Sequence, residues 1–400
     1  MRGVIATYGT MGDVQPLLAL GAELSRRGHS LKFAAPPDFA DRAHRLGFGF
    51  VPLGPPMDPV ELREVYGHSV LTRDVVQHVK RTLPLVIRDT PRMVEELASA
   101  CADADILMSL PYQLAGRIVH DLHHVPLISI HLSPFGGYSR RFVAESSLLI
   151  NELRACYGLN PLDDPLGPSG SSSLLTLYAV SPTLCLRPRH WPEHHRMTGF
   201  FFLDEKWAPD PALERFVNAG EPPIVVSFGS VLHQSPEALA RIVLEAITGV
   251  HRRAVIQRGW TGLEFQSIPH EIHVTGTVPH HWLFPRAACV VHAGGAGTTA
   301  AALRAGIPSV IVPHVLDQFL WATLAKERGC ASDVIPFVEL NAERLQRAIE
   351  KALLPESRSA AGKLGENISR ENGISIAADL IESYGQQSQR SGALTPAFET

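Results

Sequence analysis

The sequence has few cysteines, little net charge and no long apolar run, and each shortage argues against a class of protein. Its five cysteines are scattered over 400 residues and form no Cys-x-x-Cys pair or metal-type cluster, which favours a reducing cytoplasm over a disulfide scaffold. The formal net charge of −4 argues against a nucleic-acid-binding protein, which normally carries a basic stripe. No apolar run reaches about eighteen residues, so we expect no transmembrane helix. Met1-Arg2 leads directly into a strand-like segment, so we also expect no signal peptide.

What is present is a repeated alternation of short apolar strands and helices. Hydrophobic residues make up 45% of the chain and charged residues 19%, enough apolar content for sizeable cores. The alternation occupies the first fifty residues, from Val4 onward, and begins again at Ile224. Such alternation is typical of a parallel sheet covered on both faces. The sequence therefore predicts an α/β protein of two Rossmann-like domains that face each other across a cleft.

We expect the domain boundaries to fall where this alternation stops. The predicted parts are an N-terminal domain over 1–205, a linker over 206–222, a C-terminal domain over 223–372, a helix over 373–385 that could return to the first domain, and a flexible tail over 386–400. Within the first domain, Pro55 to Pro91 and Ser133 to Ser173 read as irregular insertions, and a helix is predicted from Pro91 to Ala102.

The most informative segment runs from Val290 to Thr299. An apolar strand ends at His292, a glycine-rich turn follows, and the two threonines Thr298 and Thr299 open a helical pattern. A strand, a glycine turn and a helix N-terminus place main-chain N–H groups and a positive dipole end at one spot, which suits a phosphate. The segment is not a P-loop because no lysine follows the glycines. A glycine turn without a ligand is the plainer alternative.

Two blocks of sequence resemble the family 1 UDP-sugar glycosyltransferases of GT-B fold, above all the sterol glucosyltransferases and antibiotic-tailoring transferases. The first is the run Gly9 to Pro16, GTMGDVQP, followed by Gly28-His29. The second comprises Gly276 to Arg286, His292 to Thr299, and then Pro313, Asp317 and Gln318. Many members of the family have two histidines before the glycines, whereas here Ala293 stands in place of the second.

The resemblance implies an inverting transfer with no bound metal or other cofactor, in which a UDP- or dTDP-sugar is a co-substrate. Asp13 is then the catalytic base, although an aspartate at this position could simply cap its helix. The implied acceptor contacts are Met11, His131 and Phe135, with His131 also a second-choice base or a hydrogen-bonded buried histidine. The implied donor-binding residues are Ser230, Trp260, Val278, His292, Gly294, Gly295, Ala296, Gly297, Thr298, Asp317 and Gln318. Trp260 could instead be a core aromatic, and Asp317 a helix cap.

The leading hypothesis is therefore a cytoplasmic hexosyltransferase, monomeric or weakly dimeric, that glycosylates a hydroxyl of a lipophilic acceptor such as a sterol or macrolide. A nucleotide-sugar epimerase or hydrolase of the same fold is one alternative, and a non-catalytic sugar-nucleotide-binding partner protein is another. A nicotinamide dehydrogenase is disfavoured, because the first turn lacks Gly-x-Gly-x-x-Gly and no acidic residue ends the second strand.

Overall fold

A computed structural model describes residues 1–58, 60–61, 64, 75–134, 140–229, 235–259, 263–265 and 267–390. Within this part of the chain, the first lobe is a seven-stranded sheet of order β3-β2-β1-β4-β5-β6-β7, and every neighbouring pair is parallel. Its strands are β1 (Arg2–Ala6), β2 (Ser30–Ala35), β3 (Gly49–Pro52), β4 (Ile106–Ser109), β5 (Leu127–His131), β6 (Leu175–Tyr178) and β7 (His195–Met197). Its helices are α1 (Met11–Arg26), α2 (Ala40–Arg45), α3 (Val75–Cys101), α4 (Leu114–His123) and α5 (Arg140–Ala155).

The second lobe is built on a separate sheet, six-stranded among the described residues, of order β10-β9-β8-β11-β12-β13. Its strands are β8 (Ile224–Ser227), β9 (Ala254–Gln257), β10 (Ile272–Thr275), β11 (Cys289–His292), β12 (Ser309–Ile311) and β13 (Ala331–Val334). The later helices are α6 (Pro211–Asn218), α7 (Pro236–Val250), α8 (His280–Leu283), α9 (Ala296–Arg304), α10 (Gln318–Glu327), α11 (Ala342–Ala352), α12 (Pro355–Ser369) and α13 (Gly373–Arg390). Solved structures with this two-sheet arrangement, described below, confirm the predicted α/β fold class.

The parallel register places the candidate residues at the carboxyl ends of central strands. In the second sheet, His292 is aligned with Ser227 on one side and Ile311 on the other. Ligands of α/β sheets bind at this edge, where the loops leave the strands. Helix α1 contacts helix α9, so the loop-to-helix junctions of β1 and β11 lie against each other.

The last helix, α13, follows the second lobe in sequence and packs on the first. Its Ala377, Ala378 and Ile381 are buried in the core of the first sheet. Arg27 at the end of α1 donates to Asp379 at 2.5 Å and to Glu382 at 2.9 Å. The helix begins in a close main-chain crossing, because a Cβ on Gly373 would lie 2.5 Å from the carbonyl oxygen of Phe200.

Two segments that read as irregular are helical, and those expectations are wrong. Helix α3 starts at Val75, well before the predicted Pro91, and contains Pro84 and Pro91 in its interior. Its apolar stripe is buried against the first sheet, and this packing outweighs the two lost main-chain hydrogen bonds. Helix α5 lies inside the supposedly irregular Ser133 to Ser173, where Phe142, Ser146 and Ile150 recur every four residues and are buried.

Candidate active site

Asp13 lies in the first turn of α1 and closes a capping box with Thr10. Its Oδ2 accepts the Thr10 main-chain N–H at 2.9 Å, while the Thr10 side chain accepts from Gly12. Gly9 makes this possible, because a Cβ there would lie 2.4 Å from Oδ2 of Asp13. No described residue donates to the other oxygen, Oδ1. Asp13 is therefore a cap through one oxygen and leaves the second for a ligand.

The surroundings of Asp13 make it a stronger base than an ordinary aspartate. Burial raises its pKa from 3.8 to about 6, which outweighs the lowering by the hydrogen bonds from Thr10. The carboxylate of Asp317, from the second lobe, adds to the rise. The helix dipole alone would lower this pKa, but burial dominates. The shift also shows that Asp13 and Asp317 are close enough to interact.

His292 ends strand β11 and is fully buried. Its Nδ1 accepts the main-chain N–H of Gly294 at 3.0 Å, so that nitrogen carries no proton and the neutral ring is protonated at Nε2. Burial, with a contribution from the nearby His280, lowers the pKa of His292 to about 3. Nε2 is buried and has no hydrogen-bond partner among the described residues. A buried donor without a partner is costly, and it is the feature expected of a group that awaits a ligand oxygen.

The turn after His292 leads into a helix whose N-terminus has no side-chain cap among the described residues. Helix α9 starts after Gly295, no side chain in the described chain caps it, and its first main-chain bond runs from Thr299 N–H to Gly295 O at 2.9 Å. The N–H groups of Ala296, Gly297 and Thr298 therefore precede the helical hydrogen bonds. A Cβ on Gly295 or Gly297 would meet nothing within 4 Å. Main-chain donors beside open space are suited to an anion.

Gly294 has a different role from these two glycines. Its φ of +86° lies in the left-handed region. A Cβ there would lie 2.8 Å from Ile311 Cγ2 and 3.0 Å from the carbonyl oxygen of Gln318. The glycine turn therefore packs directly on the start of α10, which brings Asp317 and Gln318 beside the His292 turn. Gly294 is therefore required by packing.

Asp317 and Gln318 are held by different partners. Asp317 lies at the N-cap position of α10 but its side chain makes no cap hydrogen bond, so the alternative that it is a simple cap is wrong. Its Oδ2 accepts from the indole Nε1 of Trp321 at 3.0 Å. Oε1 of Gln318 accepts the main-chain N–H groups of His314 and Val315 at 2.8 and 3.2 Å. Gln318 thereby holds a loop in which Leu316 has a φ of +49°.

Val278 is buried in the loop before α8. Its carbonyl oxygen accepts from Gln257 Nε2 at 3.1 Å, and Gln257 Oε1 accepts from the hydroxyl of Ser227. This chain of contacts links the ends of β8 and β9 to the loop before α8. Ser230 and Trp260, the other two predicted donor contacts, lie outside the described residues.

Of the three predicted acceptor residues, the structure describes Met11 and His131, and Phe135 lies outside the described residues. The Sδ of Met11, at the start of α1 beside Asp13, accepts from Arg42 at 3.1 Å. His131 ends β5, is buried, and its Nε2 bonds the hydroxyl of Ser171 at 2.8 Å. Since that hydroxyl donates to the carbonyl of Gly167, the imidazole is the donor in the pair. Burial lowers the pKa of His131 to about 3.

Sequence reasoning missed two residues of this region. His280 stacks on Phe284 with ring centroids 4.3 Å apart and lies near enough to His292 to lower its pKa. Trp321, the partner of Asp317, carries no motif that would single it out. A cavity of about 510 Å³ lies in the first lobe, and its lining includes Ser171, the partner of His131, together with Arg117, Trp191 and His194. Its polar lining is largely hydrogen-bonded within the protein, as for Arg117 with Asp121 and the carbonyl of Ser169.

The site thus brings together an uncapped helix N-terminus, a neutral histidine donor and two interacting carboxylates from opposite lobes. Such a set can bind an anionic leaving group on one side and accept a proton on the other. Among the described residues, no three His, Cys, Asp or Glu side chains are grouped as metal ligands.

Comparison with known proteins finds two domain matches. Residues 4–135 match the glycosyltransferase family 28 N-terminal domain. Residues 241–382 match the C-terminal domain of the erythromycin biosynthesis protein CIII-like family. The first match contains the Asp13 turn, and the second contains the His292 turn.

Two curated relatives align over nearly the whole chain. A sterol 3-beta-glucosyltransferase of Arabidopsis thaliana is 30% identical over 94% of this chain, which spans 64% of that protein's length. The O-mycaminosyltylonolide 6-deoxyallosyltransferase of Streptomyces fradiae is 29% identical over 99% of this chain and 100% of its own.

Among solved structures, a glycosyltransferase of Streptomyces sp. SF2575 complexed with thymidine diphosphate superposes with a TM-score of 0.69 at 19% identity, over 96% of this chain and 99% of its own. A calicheamicin glycosyltransferase superposes with a TM-score of 0.71 at 20% identity, over 96% and 98% of the two chains. Of the helices in the described ranges, none is both long enough and apolar enough to cross a bilayer.

Proposed function

The chain belongs to the GT-B glycosyltransferases that combine a family 28 N-terminal domain with an erythromycin CIII-like C-terminal domain, and from that premise we propose its reaction. It moves a hexose from a UDP- or dTDP-sugar to a hydroxyl of a lipophilic acceptor, with inversion at the anomeric carbon and without a metal ion. The observation that carries the proposal is the unpartnered, buried Nε2 of His292 beside the open N-terminus of α9.

The diphosphate has the main-chain N–H groups of Ala296, Gly297 and Thr298 and the imidazole of His292 as donors. These groups are fixed before the ligand arrives, since the glycine turn is locked by Gly294 and by its own bond to His292. Donors that need no reorganisation stabilise the charge that develops on the leaving group. The neutral form of His292 is sufficient as a donor to the diphosphate, because its Nε2 carries a proton.

The acceptor hydroxyl is deprotonated by Asp13. Its oxygen attacks the anomeric carbon, the bond from that carbon to the β-phosphate oxygen breaks, and the proton passes to Oδ1 of Asp13. The nucleoside diphosphate leaves on the face opposite the attack, which inverts the configuration. Asp317 and Gln318 hold the sugar between the two groups. A pKa raised to about 6 suits a base that must be ionised near neutral pH yet accept a proton.

The substrate classes rest on the relatives. Their names cover a sterol and a macrolide as acceptors and a nucleoside diphosphate as bound ligand. A sterol or polyketide hydroxyl is therefore the proposed acceptor, and both UDP- and dTDP-sugars are proposed donors. We propose a cytoplasmic enzyme that acts as a monomer or weak dimer.

The test is nucleotide release from UDP-glucose and dTDP-glucose, each with and without a panel of sterols, macrolides and flavonoids, in the presence and absence of EDTA. We expect release that depends on the acceptor and is unchanged by EDTA. Release without any acceptor would support the hydrolase alternative, and conversion of the sugar nucleotide into an isomer without release would support the epimerase alternative. Donor binding without release or conversion under any condition would support a non-catalytic partner protein.

A further inference from the structure

Asp317 owes its orientation to one side chain, Trp321. The two residues lie one helical turn apart at the start of α10, and the indole Nε1 donates to Oδ2 of the carboxylate at 3.0 Å. Most aspartates at an N-cap position accept a hydrogen bond from their own helix. Asp317 does not. The indole therefore replaces the helix as the partner of Oδ2, and Oδ1 remains for a ligand.

Trp321 is itself fixed by the junction between the lobes. It is fully buried and is the largest side chain of the described protein to be so. Its ring packs 5.8 Å from that of Phe200, which comes from the segment that leaves the first sheet. The surrounding cluster includes Tyr178 and Val180 of the first lobe and Leu303 and Leu364 of the second. A planar indole held on all sides has no freedom to follow the carboxylate, so the carboxylate follows the indole.

We propose that Trp321 is a positioning residue for the donor sugar, acting through Asp317. The inference rests on the proposed function, because it assigns the sugar of the nucleotide donor as the group that Oδ1 of Asp317 contacts. Trp321 does not touch the sugar. It sets the direction of the Asp317 carboxylate and keeps Oδ2 occupied. A hydroxyl pair of the hexose then donates to Oδ1, whose position is fixed.

This role predicts different effects of Trp321 on the binding of the sugar nucleotide and of the bare nucleoside diphosphate. The nucleoside diphosphate contacts the His292 turn and the α9 N-terminus, neither of which bonds Trp321. Loss of the indole N–H should weaken a sugar nucleotide and leave the bare nucleoside diphosphate unaffected. A hydrogen bond to a charged group contributes roughly tenfold or more to an equilibrium constant, which sets the expected size of the effect.

The experiment compares Trp321→Phe with the wild-type enzyme. We expect the KM for UDP-glucose, or for dTDP-glucose if that is the better donor, to rise about tenfold, while the dissociation constant of UDP or dTDP changes by less than twofold. In an Asp317→Ala background the same substitution should have no further effect on KM. Phe200→Leu is the matched control, because it removes packing from the same indole but keeps its N–H; it should lower the Tm and leave the donor KM unchanged.

A second readout uses the unmutated chain. Its five tryptophans give five indole ¹H–¹⁵N resonances, of which Trp321 is identified as the one that Asp317→Ala moves. That resonance should respond to the sugar nucleotide and not to the bare diphosphate. The inference is overturned if no indole responds in this way, or if Trp321→Phe weakens sugar nucleotide and bare diphosphate equally. A wild-type chain that binds no sugar nucleotide would instead overturn the proposed function.

Discussion

The substitution His292→Asn isolates the one donor on which the proposed chemistry depends most. The two nitrogens of the imidazole have separate roles. Nδ1 accepts from Gly294 N–H at 3.0 Å, and Nε2, which has no partner among the described residues, is the proposed donor to the diphosphate. An asparagine oxygen reaches the position of Nδ1 and can keep the turn, but no atom of asparagine reaches the position of Nε2. His292→Ala loses both contacts and serves as the companion variant.

The expected magnitudes differ for activity and stability. Removing one fixed donor to a developing negative charge lowers kcat by about 10²–10³-fold. His292 is fully buried, so no bulk water takes the place of the lost donor. The alanine variant also leaves the buried N–H of Gly294 unpaired, which should cost about 1–3 kcal/mol of unfolding free energy beyond the asparagine variant. Both variants should therefore lose activity, and only the alanine variant should lose much stability.

The assay is nucleotide release under saturating acceptor, with urea unfolding of each variant and uridine binding as a control for the nucleoside subsite. The expected pattern is a fall of about 10²-fold or more in kcat for His292→Asn with uridine affinity unchanged. Turnover within about twofold of the wild type would refute the assignment of Nε2–H to the leaving group.

Three further predictions concern the rest of the site. Asp13→Asn should lower kcat by about 10²–10⁴-fold while UDP binding, measured by calorimetry, is unchanged; retained turnover would exclude Asp13 as the base. Because Asp13 acts when ionised and its pKa is raised to about 6, kcat/KM should fall as pH drops through about 6, and in Asp317→Asn, which removes a charge that raises this pKa, the fall should move to lower pH; an unmoved limb would contradict the interaction of the two carboxylates. Gly294→Ala should cost about 1–3 kcal/mol in urea unfolding, since it combines a left-handed φ of +86° with a Cβ 2.8 Å from Ile311. Its control, Gly297→Ala, meets nothing within 4 Å and should weaken donor binding without loss of stability.

Patterns that depend only on local sequence predicted the strands, turns and helices that carry the candidate residues. The strand that ends at His292, the glycine turn and the helix after it follow from apolar periodicity and from helix-ending residues, and all three are in the structure. The same holds for Asp13 at the first helix. Their spatial meeting could be expected because both lie at carboxyl ends of parallel strands.

What the sequence did not predict depends on tertiary packing. The prolines at 84 and 91 predict a helix break, yet α3 passes both because its apolar face is buried. Thr90 donates its hydroxyl to the carbonyl of Val86 just before the second proline. The partnership of Trp321 with Asp317 could be suspected from their four-residue spacing, but its importance comes from the lobe junction, which no local pattern encodes.

The sign of the pKa shift at Asp13 shows the same limit. The sequence places a carboxylate at a helix N-terminus, which alone predicts a lowered pKa. The raised value arises chiefly from burial, with a smaller contribution from Asp317, which lies in the second lobe and far from Asp13 in sequence.

The most direct test of the central claim is a crystal structure of the enzyme with UDP or dTDP bound. The account predicts a β-phosphate oxygen within hydrogen-bond distance of His292 Nε2 and of main-chain N–H groups between Ala296 and Thr298, with Oδ1 of Asp13 facing the same space. A nucleotide bound away from residues 292–298, or an Asp13 carboxylate turned out of the space between the lobes, would contradict it.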